Sequence, residues 1–140
     1  MNKLALTIAA LGLFAVPASA SAVDITGVWA TGSEGGRVEI FRCGAALCGR
    51  VVGAARLSGN PDLRDVRNSD ATKRERRIKG LVVLKSFTGG PVEWKGKAVY
   101  DPETGDGASR GYLTLLGNGK LEVKGCVVFI CRTKIWTKAN

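Results

Sequence analysis

Four cysteines, one dense cationic run and three neighbouring aspartates are the residues of this chain whose types and spacing could do chemistry. The cysteines form two pairs with the same spacing, Cys43-Gly-Ala-Ala-Leu-Cys48 and Cys126-Val-Val-Phe-Ile-Cys131. Each pair lies where one strand-like run turns into the next. Opposed Cβ atoms across such a turn are about 4.5–5.5 Å apart, and a disulfide needs Cα atoms about 4.4–6.8 Å apart. A ring this small staples a turn, contributing about 2 kcal/mol, and does not hold a fold together. A four-cysteine zinc site is the competing chemistry, since both spacings suit it. The chain has no histidine, and its first twenty residues read as an export signal. The expectation is therefore two local disulfides, Cys43–Cys48 and Cys126–Cys131, and no metal.

Lys73, Arg74, Arg76, Arg77 and Lys79 stand together with only Glu75 against them. Beside a binding cavity they would offer a positive rim to a carboxylate or phosphate head. Trp94, Tyr100 and Tyr112, on two successive strands with Trp94 and Tyr100 on one face, could line the apolar part. The same aromatics would serve equally as a filled core, and the same cations as an exposed loop. Asp62, Asp65 and Asp70 could supply an acid–base pair, as in glycoside hydrolysis. Arg64 and Arg67 alternate with them, however, which is the pattern of surface ion pairing. Without histidine, the common proton shuttle is missing, and oxidised cysteines are not nucleophiles. Binding is the preferred class; no catalytic residue and no cofactor is assigned, and a carboxylate hydrolase is the enzymatic alternative.

The elements that must position these residues are strands. Gly27–Thr31 is the first, and Arg37–Arg42 alternates Val38 and Ile40 with Arg37 and Glu39, the period of a half-buried strand. After the first cysteine turn a third strand runs to Ala55. Residues 57–79 then lose all apolar periodicity and read as one long, mobile loop, either a functional lid or disordered, with room for a helical turn near Ala71–Arg77. Five more strands follow: Gly80–Phe87, Val92–Tyr100, Gly111–Leu116, Lys120–Gly125 and Arg132–Trp136. Eight sequential antiparallel strands close most economically into an all-β, up-and-down barrel, which removes both edges. A two-sheet sandwich is the alternative. A barrel of eight is wide enough to be filled by side chains or to hold one small ligand.

Residues 1–20 have the form of a signal peptide: Lys3, an apolar stretch from Leu4 to Val16, and the small-x-small site Ala18-Ser-Ala20. Residues 21–140 then form a single domain, placed in the periplasm or secreted. No later apolar run approaches a transmembrane length. Lysine and arginine number 21 against 12 acidic residues, a net charge of +9, which suits anionic partners. The leading expectation is a small amphipathic or anionic molecule. The alternative is a protein whose basic loop docks on anionic lipid headgroups or polymers, with no internal ligand. Export and the lack of aromatics within the basic run count against nucleic acid. A monomer is expected.

The order of marks along the chain adds a resemblance. Gly27-Val-Trp29 is followed by Cys43-Gly-Ala-Ala-Leu-Cys-Gly49, Asn68-Ser-Asp70 and a basic run ending Lys79-Gly-Leu81. Tyr100-Asp-Pro102 with Gly105 and Trp136-Thr-Lys138 complete it. The chain resembles a family of exported bacterial proteins known as a domain of unknown function, with a lipocalin-like barrel. Ser69 replaces the family's usual proline, Asp106-Gly107 follows Gly105, and the second cysteine turn is short. The resemblance implies no catalytic residues. It implies that Trp29 closes the barrel floor beneath an arginine of the last strand, here Arg132, stacked on the indole.

Overall fold

The structure is a computed structural model that describes residues 11–17 and 23–140. The leader expected over residues 1–20 lies mostly outside the described residues; residues 11–17 are exposed and carry no regular structure. No helix among the described residues is long and apolar enough to cross a membrane.

Ten strand segments follow: β1 (Gly27–Ala30), β2 (Arg37–Cys43), β3 (Ala46–Gly53), β4 (Val82–Gly89), β5 (Glu93–Gly96), β6 (Ala98–Asp101), β7 (Asp106–Ala108), β8 (Arg110–Leu115), β9 (Leu121–Val127) and β10 (Ile130–Lys138). Lys97 alone separates β5 from β6, and Ser109 alone separates β7 from β8. Both interrupted strands keep one register, with Trp94 opposite Leu113 and Val99 opposite Ala108. They behave as two staves, which brings the count to eight. Every stave pairs with the next in the chain, and Trp29 opposite Lys138 with Ala30 opposite Thr137 joins the last to the first. This is the closed antiparallel up-and-down barrel expected from the sequence, and pairing of first with last excludes the open sandwich. The seam is narrow: beyond those two pairs, the Ala139 N–H donates to the Val28 carbonyl.

Alternation along the strands sends Val38, Ile40, Leu47, Val51, Leu113, Leu121 and Val123 into the core, where they pack with Trp29, Phe87, Trp94 and Trp136. The middle of the barrel is filled by side chains. Gly96, Gly111 and Gly125 stand side by side across three staves. A Cβ on Gly96 would meet the Phe87 ring at 2.5 Å, and one on Gly111 would meet Val99 at 2.5 Å. The space left by those three missing side chains is what Phe87 and Val99 occupy.

Both local disulfides form, with Cα atoms 5.8 Å apart for Cys43–Cys48 and 4.1 Å for Cys126–Cys131. Sulfurs bonded to each other ligate no zinc. By the course of the strands, the turns at residues 31–36, 54–81, 102–105 and 128–129 share one end of the barrel. Residues 23–26, 44–45, 90–92, 116–120 and 139–140 gather at the other.

Two expectations fail here. The long connection is packed structure, with a short helix α1 (Ala55–Gly59) and buried Leu57 and Ile78, while the helical turn expected near Ala71–Arg77 is present as a 3-10 turn, Ala71–Lys73. Strand alternation also changes phase across Lys97. Trp94 and Gly96 face the interior before it and Val99 after it, so Tyr100 does not share the face of Trp94.

Candidate functional site

The connection folds back on itself. Arg64 bridges Arg77, the Asp65 N–H donates to the Arg76 carbonyl at 2.9 Å, and the Ile78 N–H donates to Leu63 at 2.9 Å. At the centre is Asp65, 1% exposed. Its carboxylate accepts from the Tyr100 hydroxyl at 2.5 Å, from Asn68 Nδ2 at 2.8 Å and from Arg76 Nη2 at 2.9 Å. A buried carboxylate is costly unless its acceptor sites are occupied, and three donors occupy most of them here. Burial, and then the bonded Asp65, push the Tyr100 hydroxyl well above its ordinary pKa, so it stays a donor. The turn after β6 clasps the connection from outside. Arg67 Nη1 donates to the Glu103 carbonyl at 2.6 Å, and Gly105, at φ +80°, lies so close that any Cβ would collide with the Arg67 carbonyl. The Asn68-Ser-Asp70, basic-run and Tyr100-Asp-Pro marks thus meet in one place.

Between residues 68–76 and the staves β4, β6 and β7 lies a cleft of about 260 Å³. Lys73, Arg76 and Lys85 line it with one carboxylate, Asp70, while Val82, Val83 and Val99 supply an apolar wall. Hydrogen bonds from the Thr72 side chain and backbone hold Asp70 below the usual carboxylate range, and Lys73 Nζ stands 3.6 Å from it. Arg76 Nε is buried with no acceptor among the described residues. The cleft is a small cationic recess whose polar groups are held by a structured wall.

Of the residues singled out in the sequence, the cleft brings together Asp70, Lys73, Arg76 and Tyr100. Arg74 turns back to donate from Nε to the Asn68 carbonyl at 2.8 Å, and Arg77 pairs with Asp62 at 2.6 Å. Lys79 stands by Leu57 and Pro61. Trp94 lies at the opposite end, lining a separate depression of about 320 Å³ with Ile25, Leu47 and Phe87. Tyr112 is beneath Lys124, whose Nζ is 5.0 Å from the ring. The three aspartates form no shared acid–base pair, since Asp62, Asp65 and Asp70 each hold their own partners.

The cation over Trp29 is Lys138, 4.8 Å from the ring, and the indole Nε1 donates to the Ile25 carbonyl at 2.9 Å. Arg132 bonds Asp106 at 2.9 Å instead. Register explains this correction. Lys138 is opposite Trp29, whereas Arg132 is six residues up the strand, about 20 Å away at the rise of a β-strand. The sequence reading also missed Lys85. Its signal is a lone cation in the apolar run Leu81-Val-Val-Leu-Lys85, at an exposed position of β4. Among the described residues no group of three histidine, cysteine, aspartate or glutamate side chains is arranged to hold a metal.

Residues 27–138 match the family described as "Uncharacterized protein conserved in bacteria (DUF2147)". The chain belongs to this family. No curated protein matches the DUF2147 chain. Among solved structures it is similar to one titled "Protein HP1028 from the human pathogen Helicobacter pylori belongs to the lipocalin family". The TM-score is 0.69 over 84% of each chain, at 21% identity. That likeness shows the lipocalin-like fold of this DUF2147 protein. Its two disulfides fit a compartment outside the reducing cytoplasm.

Proposed function

We propose that this DUF2147 chain is a periplasmic or secreted binding protein for a small anionic molecule, held in the cleft beside the long connection and not inside the barrel. The observation that carries the reading is the convergence of Lys73, Arg76 and Lys85 on one recess against the single carboxylate of Asp70. Phe87 and Val99 fill the middle of the barrel, where an internal ligand would lie. Small-molecule pockets span about 300–1,000 Å³, so a cleft of about 260 Å³ suits a compact carboxylate or phosphate ester with a short apolar part. Docking of the basic run on lipid headgroups draws less support. Within the run, Arg77 is engaged with the Asp62 carboxylate and Arg74 with the Asn68 carbonyl, while Lys73 and Arg76 line the cleft.

Calorimetric titration with a panel of small carboxylates and phosphate esters, guided by native mass spectrometry of the purified protein, tests the reading. Lys85→Glu should weaken binding at least tenfold at an unchanged melting temperature, and rising salt should weaken the wild type. Equal affinity of Lys85→Glu and wild type would rule the cleft out.

A further inference from the structure

The second cysteine hairpin ends in an apolar tip that nothing among the described residues covers. Val127, Val128, Phe129 and Ile130 are 51%, 64%, 95% and 74% exposed. Val128 occupies the left-handed region, φ +53°, where a β-branched residue is disfavoured and glycine or asparagine is the usual choice. In the first cysteine hairpin the first residue of the two-residue turn, between paired Cys43 and Ala46, is Gly44, φ +71°. At the second turn a bulky apolar side chain is kept in spite of the backbone, and the Cys126–Cys131 bond closes the hairpin immediately beneath it. Observed strain of this kind points toward function.

Charge at the base of the tip is mainly positive. Lys124 and Arg132 lie just below the Cys126–Cys131 bond, with Arg132 paired to Asp106, and Lys134, further down the strand, is paired to Asp101. Arg110, on the neighbouring strand opposite Cys126, donates to the Val128 carbonyl. The tip is convex and narrow, a two-residue turn with Ile130 opposite Val127 at its base.

We infer that this stapled hairpin is an anchor that inserts Val128 and Phe129 into the interface of an anionic lipid bilayer. Apolar side chains enter the headgroup–acyl boundary while flanking lysines and arginines meet anionic headgroups, a division of labour that neither part achieves alone. The inference is independent of the cleft, because none of its residues lines that recess.

Phe129→Trp makes insertion visible. The native tryptophans Trp29, Trp94 and Trp136 are all buried, so the added indole reports the tip. With vesicles of phosphatidylglycerol and phosphatidylcholine its emission should shift to the blue and be quenched by lipids brominated near the headgroup. Vesicles of phosphatidylcholine alone should give a much smaller response. Phe129→Ser should reduce co-sedimentation with the anionic vesicles at least tenfold while the melting temperature holds, since the side chain stands in solvent. Lys85→Glu, at the cleft, should sediment as the wild type does. Unshifted emission from the Phe129→Trp protein, or wild-type sedimentation of Phe129→Ser, would overturn the anchor; a tip that fits a protein pocket instead would produce that unshifted emission.

Discussion

The connection of residues 54–81 and the hairpin tip of residues 127–130 lie at the same end of the barrel and invert each other's sequence. The connection is rich in charge and poor in apolar periodicity, yet it contains the most buried charged group, Asp65. The tip is four apolar residues in a row, yet Phe129 is almost wholly in solvent. The difference teaches that composition reports burial only where the backbone offers a repeating surface. In a strand, alternation sorts residues between two faces. In a connection, one carboxylate with three donors can order the chain, and at a two-residue turn no inner face exists to receive an apolar side chain.

The sharpest way to break that contrast is at its buried carboxylate. Asp65→Ala strands the Tyr100, Asn68 and Arg76 donors and should cost about 3 kcal/mol in chemical denaturation, the low end for a broken buried pair because Arg76 is partly exposed. A loss under about 1 kcal/mol, the size of one ordinary hydrogen bond, would mean that the connection is held by Leu57 and Ile78 alone.

Next come the adjacent arginines, which the sequence does not distinguish. Arg76 donates to buried Asp65, whereas Arg77 pairs with exposed Asp62. Arg76→Gln should lower stability by about 1.5–3 kcal/mol, the range for a hydrogen bond to a charged group, while Arg77→Gln should leave the denaturation midpoint within error. Equal effects would show that the connection is not organised around Asp65.

A smaller effect is set by pH. Tyr100 has its pKa raised in the folded state by burial and Asp65, so the folded state keeps a proton that the unfolded chain releases near the ordinary tyrosine pKa of about 10. Stability from this source is complete below that pH and declines as pH rises above it. Denaturation curves from about pH 8 to 11, spanning that ordinary value, should fall less steeply for Tyr100→Phe than for wild type; parallel curves would remove the Tyr100–Asp65 bond from the account.

The smallest effect belongs to the tip. Val128→Gly should raise stability by about 0–1 kcal/mol, since relief of the φ +53° conformation is partly offset by glycine's greater freedom when unfolded. A thermal melt showing clear destabilisation would mean that Val128 packs against something and is not an exposed tip.

Much of the barrel was legible because its signals are local and periodic. Val38 and Ile40, Leu121 and Val123 announce strands by period two, and the four-residue cysteine spacing announces stapled turns. What stayed hidden depends on register between distant segments. Nothing near Trp29 in sequence reveals that Lys138, and not Arg132, lies across from it. The phase change at Lys97, which turns Tyr100 to Asp65, leaves no mark in a pattern of alternating residues. Lys73 and Arg76 could be read as cations for a site, but their partner Lys85 is on a strand beyond the connection, and only folding brings it near.

The narrow seam between β1 and β10 sets an order in time. Its pairs join segments from opposite ends of the chain, so the barrel closes through its most non-local contacts, the kind that slow folding. As the chain folds, the hairpin of β2 and β3 and its five-residue-separated disulfide can form early from local contacts, but β1 keeps a free edge until residues 137–139 dock on it. Until that seam closes the molecule is an open sheet with an unsatisfied border, vulnerable to pairing with a neighbour.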